Sequence, residues 1–424
     1  MLNPKTNLRE LAYLVKIDKI EPIEGSDNCE AAYVGGWHIM VRKETFKAGD
    51  LAIYFEIDSR LDTNKPEFAF LEKKHGAIKT QKYTFGGKGN FVSQGLLMST
   101  ADFGWDVVED SGKVIVIDKE SFSHNIEDNS RFLTEKLGVT YYVPEDNSRK
   151  GKGPDKYEKM YLAHKKLFRN KFIKWLYSKD WGKKVLFVFL GRKVKKVSDF
   201  PSFVKKTDEE RAQNLPNLFP GDATEWIATE KIDGTSTTFA VKGFGRKRQF
   251  YICSRNVVFN NPSKEDRNFY KDTDGNVYLE MAEKYNVKEV MGKILDELHG
   301  KNNKVEFLTV QGETFGGTIQ KRGYSTTEHD IRVFNIIIGY NDGSTKRLNP
   351  IDGTEFANTL LNMPYVPIVD EHFKIPETCD DLLALAGGAS QIDGQMREGL
   401  VFRTYDGTRS FKAVDNEFLL KFHN

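Results

Sequence analysis

The sequence predicts an α+β chain of three parts: a small N-terminal β-barrel, a basic connector that is partly helical, and a C-terminal domain built on antiparallel sheets. Three observations predict this order. Short apolar runs separated by turn residues fill the first part, positive charge is concentrated in the middle, and strand and helix patterns are mixed in the last part. With 424 residues, 39% of them hydrophobic, the chain has enough apolar material for two or three domains.

The first part, residues 1–115, is rich in strand patterns. LAYLVKIDKIEPI, AAYVGGWHIMV and LAIYFEID are short apolar or alternating runs, and the turn sequences EGSDN and FKAGD separate them. Several short strands at this spacing indicate a small barrel or a sandwich. We expect a barrel of the OB type, a fold whose surface can bind nucleic acid.

The connector, residues 116–200, stands out by its charge. From Arg149 to Lys206 the chain has about 19 lysine and arginine residues against 4 acidic ones, a bias that attracts nucleic acid. Within it, PDKYEKMYLAHKKLFRNKFIKWLYSKDW has apolar residues near helical spacing. We expect a basic amphipathic helix that contacts phosphates. A solvated helix packed on a neighbouring domain and a helix on a membrane surface are the alternatives.

The last part, residues 201–424, combines strands and helices. The runs EWIATEK, TTFAVKG, QFYICS, VEFLTVQGE, IRVFNIIIGY, GLVFRT and SFKAV predict strands. YLEMAEKYNVKEVMGKILDELHG and the stretch around CDDLLALAGG predict helices. The stretch TEKIDGTSTTFAV predicts a strand, an Asp-Gly turn and a second strand, which is a hairpin with Lys231 at its lip.

The sequence also argues against several classes of protein. It has no run of about 18 apolar residues and no signal-peptide pattern at its N-terminus, so we expect no membrane span and a cytoplasmic location. Cys29, Cys253 and Cys379 form neither a CxxC pair nor a disulfide framework, so structural zinc is not expected. There is no GxxxxGK[ST] loop and no HExxH motif, and the eight histidines show no ligand spacing.

Five features of the last part suggest shared chemistry. In chain order they are Lys231-Ile-Asp233-Gly234, Ser254-Arg255-Asn256, Gly312-Glu313, Glu398-Gly399, and Lys412 with Lys421 close behind it. Most of these charged residues lie at the mouth of a predicted strand, beside a glycine or a turn. If the strands share a sheet, three carboxylates could therefore converge on one cleft with Lys231.

One lysine among three carboxylates suits a metal-assisted attack on a phosphate. A lysine with a pKa of about 10.4 is a poor nucleophile at neutral pH, and a divalent cation together with neighbouring cations can lower that pKa. Mg²⁺ or Mn²⁺ would be held by Asp and Glu, largely through waters. Lys412, Lys421 and Arg255 could neutralise the phosphate charge in the transition state.

The order of these motifs resembles the covalent nucleotidyltransferase superfamily of polynucleotide ligases and mRNA capping enzymes. The matches are Lys231-Ile-Asp233-Gly234 for motif I (KxDG), Ser254-Arg255-Asn256 for the basic strand end that follows it, Gly312-Glu313 for motif III, Val333-Phe334-Asn335-Ile336 for motif IIIa, Glu398-Gly399-Leu400-Val401 for motif IV and the strand around Lys412 for motif V. Motif V of RNA ligases often has two lysines in a KxK arrangement. Here the second is missing, or Lys421 replaces it in space.

The order of the domains separates the branches of this superfamily. DNA ligases and capping enzymes place an OB domain after motif V, whereas here only FHN follows Lys421 and the candidate barrel is N-terminal. This order is similar to that of the type 5 RNA ligases, and FPSFVKKTDEERAQNL, before motif I, looks like the approach segment of that family. The resemblance covers residues 1–115 and 200–424, so that the last part would be a nucleotidyltransferase (adenylyltransferase) domain.

This resemblance implies an ATP-dependent RNA ligase. Lys231 would attack the α-phosphate of ATP to form lysyl-AMP, AMP would move to a 5′-phosphate end, and a 3′-hydroxyl RNA end would displace AMP at a nick. The implied catalytic residues are Lys231, Asp233, Glu313, Glu398 and Lys412. The implied metal site for Mg²⁺ or Mn²⁺ is Asp233, Asn256, Glu313 and Glu398. The implied nucleotide contacts are Glu230 and Phe334 at adenine, and Arg211, Arg255, Lys412 and Lys421 at phosphates.

The expected partner is RNA or a nicked RNA-containing duplex, without an obligate protein partner. Three alternatives remain open. A DNA ligase or an RNA guanylyltransferase is disfavoured because no C-terminal barrel follows motif V. A non-catalytic RNA-binding protein with a decayed ligase domain is disfavoured because the KxDG lysine and the three carboxylates are intact. In the third alternative, the barrel and connector dock a partner protein, and RNA is reached only through that partner.

Overall fold

The structure is a computed structural model that describes residues 1–3, 8–85, 90–110, 113–118, 131–141, 167, 170–190, 200–255, 257–259, 276–317, 319–320 and 322–423. Large parts of the basic connector lie outside the described residues, including the first half of its predicted helix. Asn256, expected at the metal site, also lies outside them.

The N-terminal domain consists of short antiparallel strands, as the sequence predicts. Its strands are β1 Ala12–Lys16, β2 Lys19–Pro22, β3 Cys29–Val34, β4 Trp37–Arg42, β5 Leu51–Phe55, β6 Ser59–Arg60, β7 Ala77–Ile78, β8 Thr80–Thr84, β9 Asn90–Gln94 and β10 Leu96–Ser99. They hydrogen-bond in the orders β1-β5-β10, β2-β3-β4 and β8-β9, and β4 also lies against β9.

Strand β5 is the centre of this domain because it is buried on both faces. Successive side chains of a strand point to opposite faces. Ile53 and Phe55 accordingly join one apolar cluster, while Ala52 and Tyr54 join a second one that contains Trp37. This burial on both sides explains why LAIYF is a continuous apolar run rather than an alternating one.

Part of the predicted connector belongs to the N-terminal domain. The elements that follow the barrel are β11 Trp105–Asp110, β12 Lys113–Asp118, α1 Thr134–Leu137 and β13 Thr140–Tyr141. Strand β13 pairs with β6, and Phe132 forms a bridge with Tyr13 of β1. Further on, the connector contains two described helices, α2 Lys171–Tyr177 and α3 Asp180–Leu190.

The C-terminal domain contains, among the described residues, two five-stranded sheets. Its strands are β14 Glu210–Arg211, β15 Trp226–Lys231, β16 Thr235–Lys242, β17 Gln249–Cys253, β18 Val305–Gly316, β19 His329–Tyr340, β20 Thr345–Arg347, β21 Ile368–Phe373, β22 Gly399–Thr404 and β23 Ser410–Val414. Sheet 1 has the order β14-β23-β22-β15-β21, and sheet 2 has the order β17-β16-β18-β19-β20. The β14–β23 pair is parallel, and the other pairs are antiparallel. The strands predicted from the sequence are confirmed.

The predicted hairpin at Lys231 is wrong, because β15 and β16 belong to different sheets. Strand β15 pairs with β22, where Lys231 lies opposite Gly399, and β16 pairs with β18, where Ser236 lies opposite Glu313. Each strand therefore finds its partners far along the chain, and these pairings override the local Asp-Gly turn signal. Residues 232–234 carry the chain from sheet 1 to sheet 2.

The helices cover the outer sides of the two sheets. They are α4 Val277–Lys284, α5 Val287–Lys301, α6 Pro350–Phe356, α7 Cys379–Ala386 and α8 Asn416–Phe422. The predicted helices are confirmed, but the first one is divided at Asn286, which has a left-handed conformation with φ 44°. Helices α4 and α5 pack on sheet 2, and α7 packs on sheet 1. In the part of the chain that the structure describes, no helix is long and apolar enough to cross a membrane.

Helix α8 connects the C-terminal domain to the barrel. Its Leu419 joins the apolar cluster around Trp37 and Tyr54, and the side chain of Gln94 donates a hydrogen bond to Asn416 Oδ1 at 2.8 Å. The helix begins at the N-cap Asp415, whose side chain accepts from the backbone N–H of Glu417. The segment that follows β23 therefore depends on both domains for its position.

A buried carboxylate also joins the two domains. Glu56 is fully buried and accepts hydrogen bonds from Arg9 Nε at 2.7 Å, from the hydroxyl of Tyr13 at 2.8 Å and from Asn214 Nδ2 at 3.1 Å. Burial alone would raise the pKa of Glu56, but the positive charge of Arg9 outweighs burial and lowers it. The carboxylate is therefore ionised and paired over the ordinary pH range.

Replacing Glu56 by glutamine is expected to lower the free energy of unfolding by about 3–5 kcal/mol at neutral pH. The substitution removes the charge 2.7 Å from the largely buried side chain of Arg9, which keeps only the longer contact with Asp58 at 3.5 Å. The pKa of Glu56 is lowered in the folded protein, so its contribution is complete above the unfolded pKa of about 4.3 and falls as the pH drops toward the folded value. Urea unfolding at pH 7 and at pH 3 measures both effects. The exposed Glu72→Gln change is the control and should cost less than about 0.5 kcal/mol; an equal cost for both would contradict the prediction.

Candidate active site

A cavity of about 310 Å³ lies where the two sheets of the C-terminal domain meet. The end of β15, the start of β16 and parts of β18, β19, β22 and β23 form its walls. Six of the residues that the sequence predicts for the site line it, namely Glu230, Lys231, Arg255, Glu313, Phe334 and Lys412. The cavity therefore brings together residues from distant parts of the chain.

Lys231 ends β15 and forms an ion pair inside this site. Its Nζ donates a hydrogen bond to Glu398 Oε2 at 2.6 Å, and the antiparallel register that places Lys231 opposite Gly399 brings the two side chains together. Burial would lower the pKa of Lys231, but the negative charges of Glu398 and Glu313 outweigh burial and raise it. Without a further cation, the amine is therefore held as an ammonium.

Glu313 is the second carboxylate that faces Lys231. It lies on β18 and is half-buried. Burial raises the pKa of Glu313 to about 8; Lys231 opposes this effect, and the charges of Glu398 and Asp233 add to it. Carboxylates crowded in this way repel one another until a cation neutralises them. The site is therefore short of positive charge near Lys231.

Asp233 is the third carboxylate, and its position is fixed by the turn that contains it. Its backbone N–H donates to the hydroxyl of Tyr324 at 2.8 Å. The next residue, Gly234, passes so close to β18 that a Cβ atom would lie 2.3 Å from the carbonyl oxygen of Thr314. Asp233 Oδ2 is buried and has no hydrogen-bond partner among the described residues, while Oδ1 lies 3.5 Å from His423 Nε2.

His423 is a site residue that the sequence did not predict. Ligand atoms of His423, Asp233 and Glu398 all lie within 4.8 Å of one another. The spacing of histidines along the chain gave no signal, because His423 reaches the carboxylates only through the position of α8. Burial would lower the pKa of His423, but its hydrogen bond to Asp233 and the charge of Glu398 raise it.

The carboxylate groups fit a hard divalent cation. Asp and Glu oxygens are the ligands that Mg²⁺ and Mn²⁺ prefer. The unpartnered oxygen of Asp233 and the raised pKa of Glu313 are both signs of missing positive charge. Asp233, Glu313 and Glu398 would hold the ion. Asn256, also expected there, is not among the described residues.

Lys412 lines the cavity and provides positive charge there, and Arg211 lies next to it outside the lining. The parallel pairing of β14 with β23 places Arg211 opposite Lys412. Burial, and the nearby charges of Arg211 and Arg9, lower the pKa of Lys412 to about 7. Arg211 is buried and donates from Nη2 to Asp58 of the barrel at 3.2 Å, whereas its Nε and Nη1 have no hydrogen-bond partner in the described chain. The barrel therefore positions an arginine next to the site.

The remaining two predicted cations differ in position. Arg255 lines the cavity, forms an ion pair with Asp208 and lies over the ring of Tyr141 at 5.1 Å. Lys421 is exposed on α8, and its ammonium lies 5.0 Å from the ring centre of Phe422. Within the described chain, Lys421 is not among the residues that line the cavity.

The resemblance implies that Glu230 and Phe334 contact the adenine of the nucleotide, and both residues line the cavity. Glu230 is buried, and its carboxylate accepts hydrogen bonds from the hydroxyl of Ser390 at 2.5 Å and from the backbone N–H of Gln391 at 2.8 Å. Burial raises the pKa of Glu230. Phe334 is half-buried on β19, and its carbonyl accepts from the hydroxyl of Tyr365 at 2.7 Å. The cavity lining thus contains the aromatic residue Phe334 and the carboxylate of Glu230, which its hydrogen bonds hold in place.

This arrangement can support transfer of a nucleotidyl group to an amine. A lysine at a strand end lies close to three carboxylates, two further cations, Lys412 and Arg255, line the cavity, and the cavity lies between two mostly antiparallel sheets. Fold and site together define a covalent nucleotidyltransferase.

Comparisons with known proteins identify the branch. The model of the RNA ligase family matches residues 224–421, and an OB-fold domain model matches residues 11–100. Residues 224–421 therefore form an RNA ligase domain of the covalent nucleotidyltransferase superfamily, and residues 11–100 form an OB-fold domain. The predicted α+β architecture and the predicted resemblance are confirmed at this level.

Solved structures agree with this assignment. The chain is similar to an RNA ligase from Naegleria gruberi with pyrophosphate, with 25% identity and a TM-score of 0.63 over 98% of this chain and 99% of that chain. A mutant of the same ligase with ATP and Mn is also 25% identical, with a TM-score of 0.65 over 97% of this chain and 99% of that one. No curated protein sequence matches the chain.

Proposed function

We propose that this RNA ligase forms lysyl-AMP at Lys231 with ATP and Mg²⁺ or Mn²⁺, transfers AMP to a 5′-phosphate end and joins that end to a 3′-hydroxyl RNA end at a nick. The observation that carries the proposal is the Lys231–Glu398 contact of 2.6 Å, with Glu313 and Asp233 close by, at a cavity that Lys231 lines. The related Naegleria gruberi structures with ATP and Mn support the choice of nucleotide and metal.

In the first step, Nζ of Lys231 attacks the α-phosphorus of ATP. The N–P bond forms, the P–O bond to pyrophosphate breaks, and Nζ must first lose a proton. Glu398 Oε2 accepts a hydrogen bond from Nζ and is positioned to take that proton. Lys412 and Arg255, which line the cavity, and Arg211, which lies opposite Lys412, would neutralise charge on the phosphates. A divalent cation held by the carboxylates would supply the charge that lowers the pKa of the amine.

The adenine of ATP and the RNA would be bound by residues other than those that contact the phosphates. Phe334 would stack on adenine, and Glu230 would accept hydrogen bonds from it, because both line the cavity beside Lys231. RNA, or a nicked duplex that contains RNA, would be held by the OB-fold domain and the basic connector. Phosphate contacts should make that binding sensitive to salt. In the second and third steps, AMP moves from Nζ to the 5′-phosphate and is then displaced by the 3′-hydroxyl.

Incubation with α-³²P-labelled ATP, and separately GTP, tests the proposal. The purified protein is incubated with Mg²⁺ or Mn²⁺ and resolved on a denaturing gel. We expect an acid-labile, alkali-stable label from ATP, as a phosphoramidate requires. Label from GTP alone would place the protein among capping enzymes, and no label from either nucleotide would favour an RNA-binding protein without catalysis. Joining of nicked and single-stranded RNA ends, compared side by side, tests the last step.

Because of Lys412, the number of protons taken up when ATP binds is expected to depend on pH. Its pKa is lowered to about 7 in the free protein, so at pH 8 the amine is mostly neutral, and phosphates that bind beside it raise the pKa again. ATP binding at pH 8, without divalent cation, is therefore expected to take up close to one proton, and at pH 6 much less. Titration calorimetry in buffers of different ionisation enthalpy measures this uptake.

Lys412→Arg is the matched control for this measurement. An arginine stays charged at these pH values, with a pKa above about 12, so the uptake at pH 8 should fall to the part that Glu313 contributes, whose pKa is about 8, while ATP still binds. Equal proton uptake in the wild type and in this variant would show that another group titrates.

A further inference from the structure

The α2–α3 hairpin of the connector is a compact unit with its own apolar cluster. Ile173 and Leu176 of α2 pack against Leu186 of α3. Gly182 is buried where the two helices meet, and a Cβ atom there would lie 1.9 Å from the carbonyl oxygen of Leu176. The helices therefore approach closely, and the side chains on their outer faces are free to serve another purpose than packing the hairpin.

The outer faces of the hairpin carry large aromatic rings in solvent. Phe172 is 66% exposed, Trp175 is 52% exposed and Trp181 is 57% exposed. Phe172 and Trp175 stack with their ring centres 5.9 Å apart. Exposed rings in one small unit are unusual, since large apolar side chains that cluster at a surface mark binding sites. Folding of the hairpin does not account for these three rings.

Lysines are interleaved with the rings on these faces. Lys174 is exposed beside Trp175 in α2, and Lys184 is exposed three residues after Trp181 in α3. Residues three or four apart share one face of a helix. Exposed Lys179 lies in the turn between the two helices. On α3 a ring and a cation thus share one face, and on α2 an exposed cation is next to an exposed ring in the chain.

This mixture matches unpaired nucleic acid better than a lipid surface. A helix that lies in a membrane interface separates an apolar face from a charged one. Proteins that bind single strands place cations along the phosphates and stack bases on aromatic side chains. A duplex keeps the faces of its bases covered by stacking, so the rings require bases that are not paired.

We propose that the α2–α3 hairpin binds unpaired RNA beside the ends that the enzyme joins, with Trp175 and Trp181 stacking on bases and Lys174, Lys179 and Lys184 contacting phosphates. This inference rests on the proposed function and adds a substrate preference to it. The favoured substrate has a single-stranded stretch next to the joined ends, whereas a fully paired nicked duplex lacks the bases that the rings bind.

Fluorescence anisotropy with two labelled RNAs tests the proposal on the full chain. One RNA is a fully paired nicked duplex, and the other is the same duplex with an unpaired extension. The wild type should bind the extended RNA more tightly. The double change Trp175→Ala/Trp181→Ala should weaken binding of the extended RNA by at least about tenfold, as loss of stacked bases does, and leave the paired RNA within about twofold.

A second variant tests the lysines by the dependence of binding on salt. Lys174→Gln/Lys184→Gln removes two phosphate contacts, so the slope of log K against log salt for the extended RNA should fall by about 1.4. The matched controls are Leu385→Ala, an exposed apolar side chain of α7 in the C-terminal domain, and Lys288→Gln/Lys301→Gln, two exposed lysines of α5. Both controls should leave the affinity and the slope unchanged.

Measuring self-adenylylation distinguishes a failure of this proposal from a failure of the proposed function. The hairpin variants should label with ATP as the wild type does, because the changed residues do not line the cavity of Lys231. A third variant, Leu186→Asp, should disrupt the hairpin core and reproduce the loss of binding. Equal affinity of the wild type for both RNAs would overturn the proposal. So would hairpin variants that bind RNA normally but no longer bind anionic phospholipid vesicles, since the surface would then belong to lipid.

Discussion

Replacing Lys231 by alanine is expected to lower the rate of self-adenylylation by at least about 1000-fold, because no other amine can take the place of a covalent nucleophile. The side chain lies in the cavity with its Nζ 2.6 Å from Glu398 Oε2. The rate of labelling by α-³²P-labelled ATP measures the effect. Binding of ATP and RNA should change far less, since Lys231 is only one of several charged groups around the cavity.

Lys231→Arg distinguishes a nucleophile from a structural cation. The arginine keeps a positive charge next to Glu398, and its pKa above about 12 prevents it from acting as a nucleophile. We expect this variant to unfold at the same urea concentration as the wild type and to remain unlabelled. If it labels normally, Lys231 is not the nucleophile. If Lys231→Ala unfolds while Lys231→Arg is stable and unlabelled, the lysine has a structural role in addition to its chemical one.

Replacing Asp233 by asparagine is expected to slow self-adenylylation by about 100-fold or more and to raise the concentration of Mg²⁺ or Mn²⁺ needed for half-maximal rate. Asparagine keeps the size of the side chain and removes its charge. Since Asp233 Oδ2 is buried and unpartnered among the described residues, this oxygen is the one that most needs a cation. Labelling rates over a metal titration measure both effects.

Asp222→Asn is a matched control, because Asp222 pairs with Arg409 at 2.7 Å on the surface of the same domain. It should leave the rate and the metal requirement within about twofold of the wild type, as surface changes of this kind cost little. A slower Asp233→Asn variant with an unchanged metal requirement would falsify the assignment of Asp233 to the metal and leave it as a residue that positions the turn.

Much of the C-terminal domain could be predicted from local patterns. The runs that became β15, β18, β22 and β23 are mostly apolar and have a glycine or a charged residue at or next to one end, and these signals are short-range. The ends of these strands meet around the cavity, so Lys231 and the carboxylates expected from the motifs lie close together. The sequence pattern was sufficient to predict that a side chain lies at the cavity wherever its place on a strand determined this.

The features that the sequence missed depend on contacts between distant segments. Asp-Gly predicts a tight turn, but whether β15 and β16 pair with each other depends on strands elsewhere in the chain. His423 approaches Asp233 because α8 packs on the barrel, and the contact between Arg211 and Asp58 crosses the boundary between the domains. None of these contacts has a signal in the spacing of residues.

The pairing of β15 with β22 has a consequence for how the protein is made. Lys231 lies opposite Gly399, so its strand leaves the ribosome about 170 residues before the partner does. At about 5–20 residues per second, this interval lasts roughly 8–35 s. Both partners of the strand that carries Lys231 follow it in the chain, so both its edges are open until β21 is made and one edge is open until β22 is made; such edges are prone to aggregate. Slower growth at low temperature, or co-expression of a chaperone that binds nascent chains, should therefore raise the soluble yield.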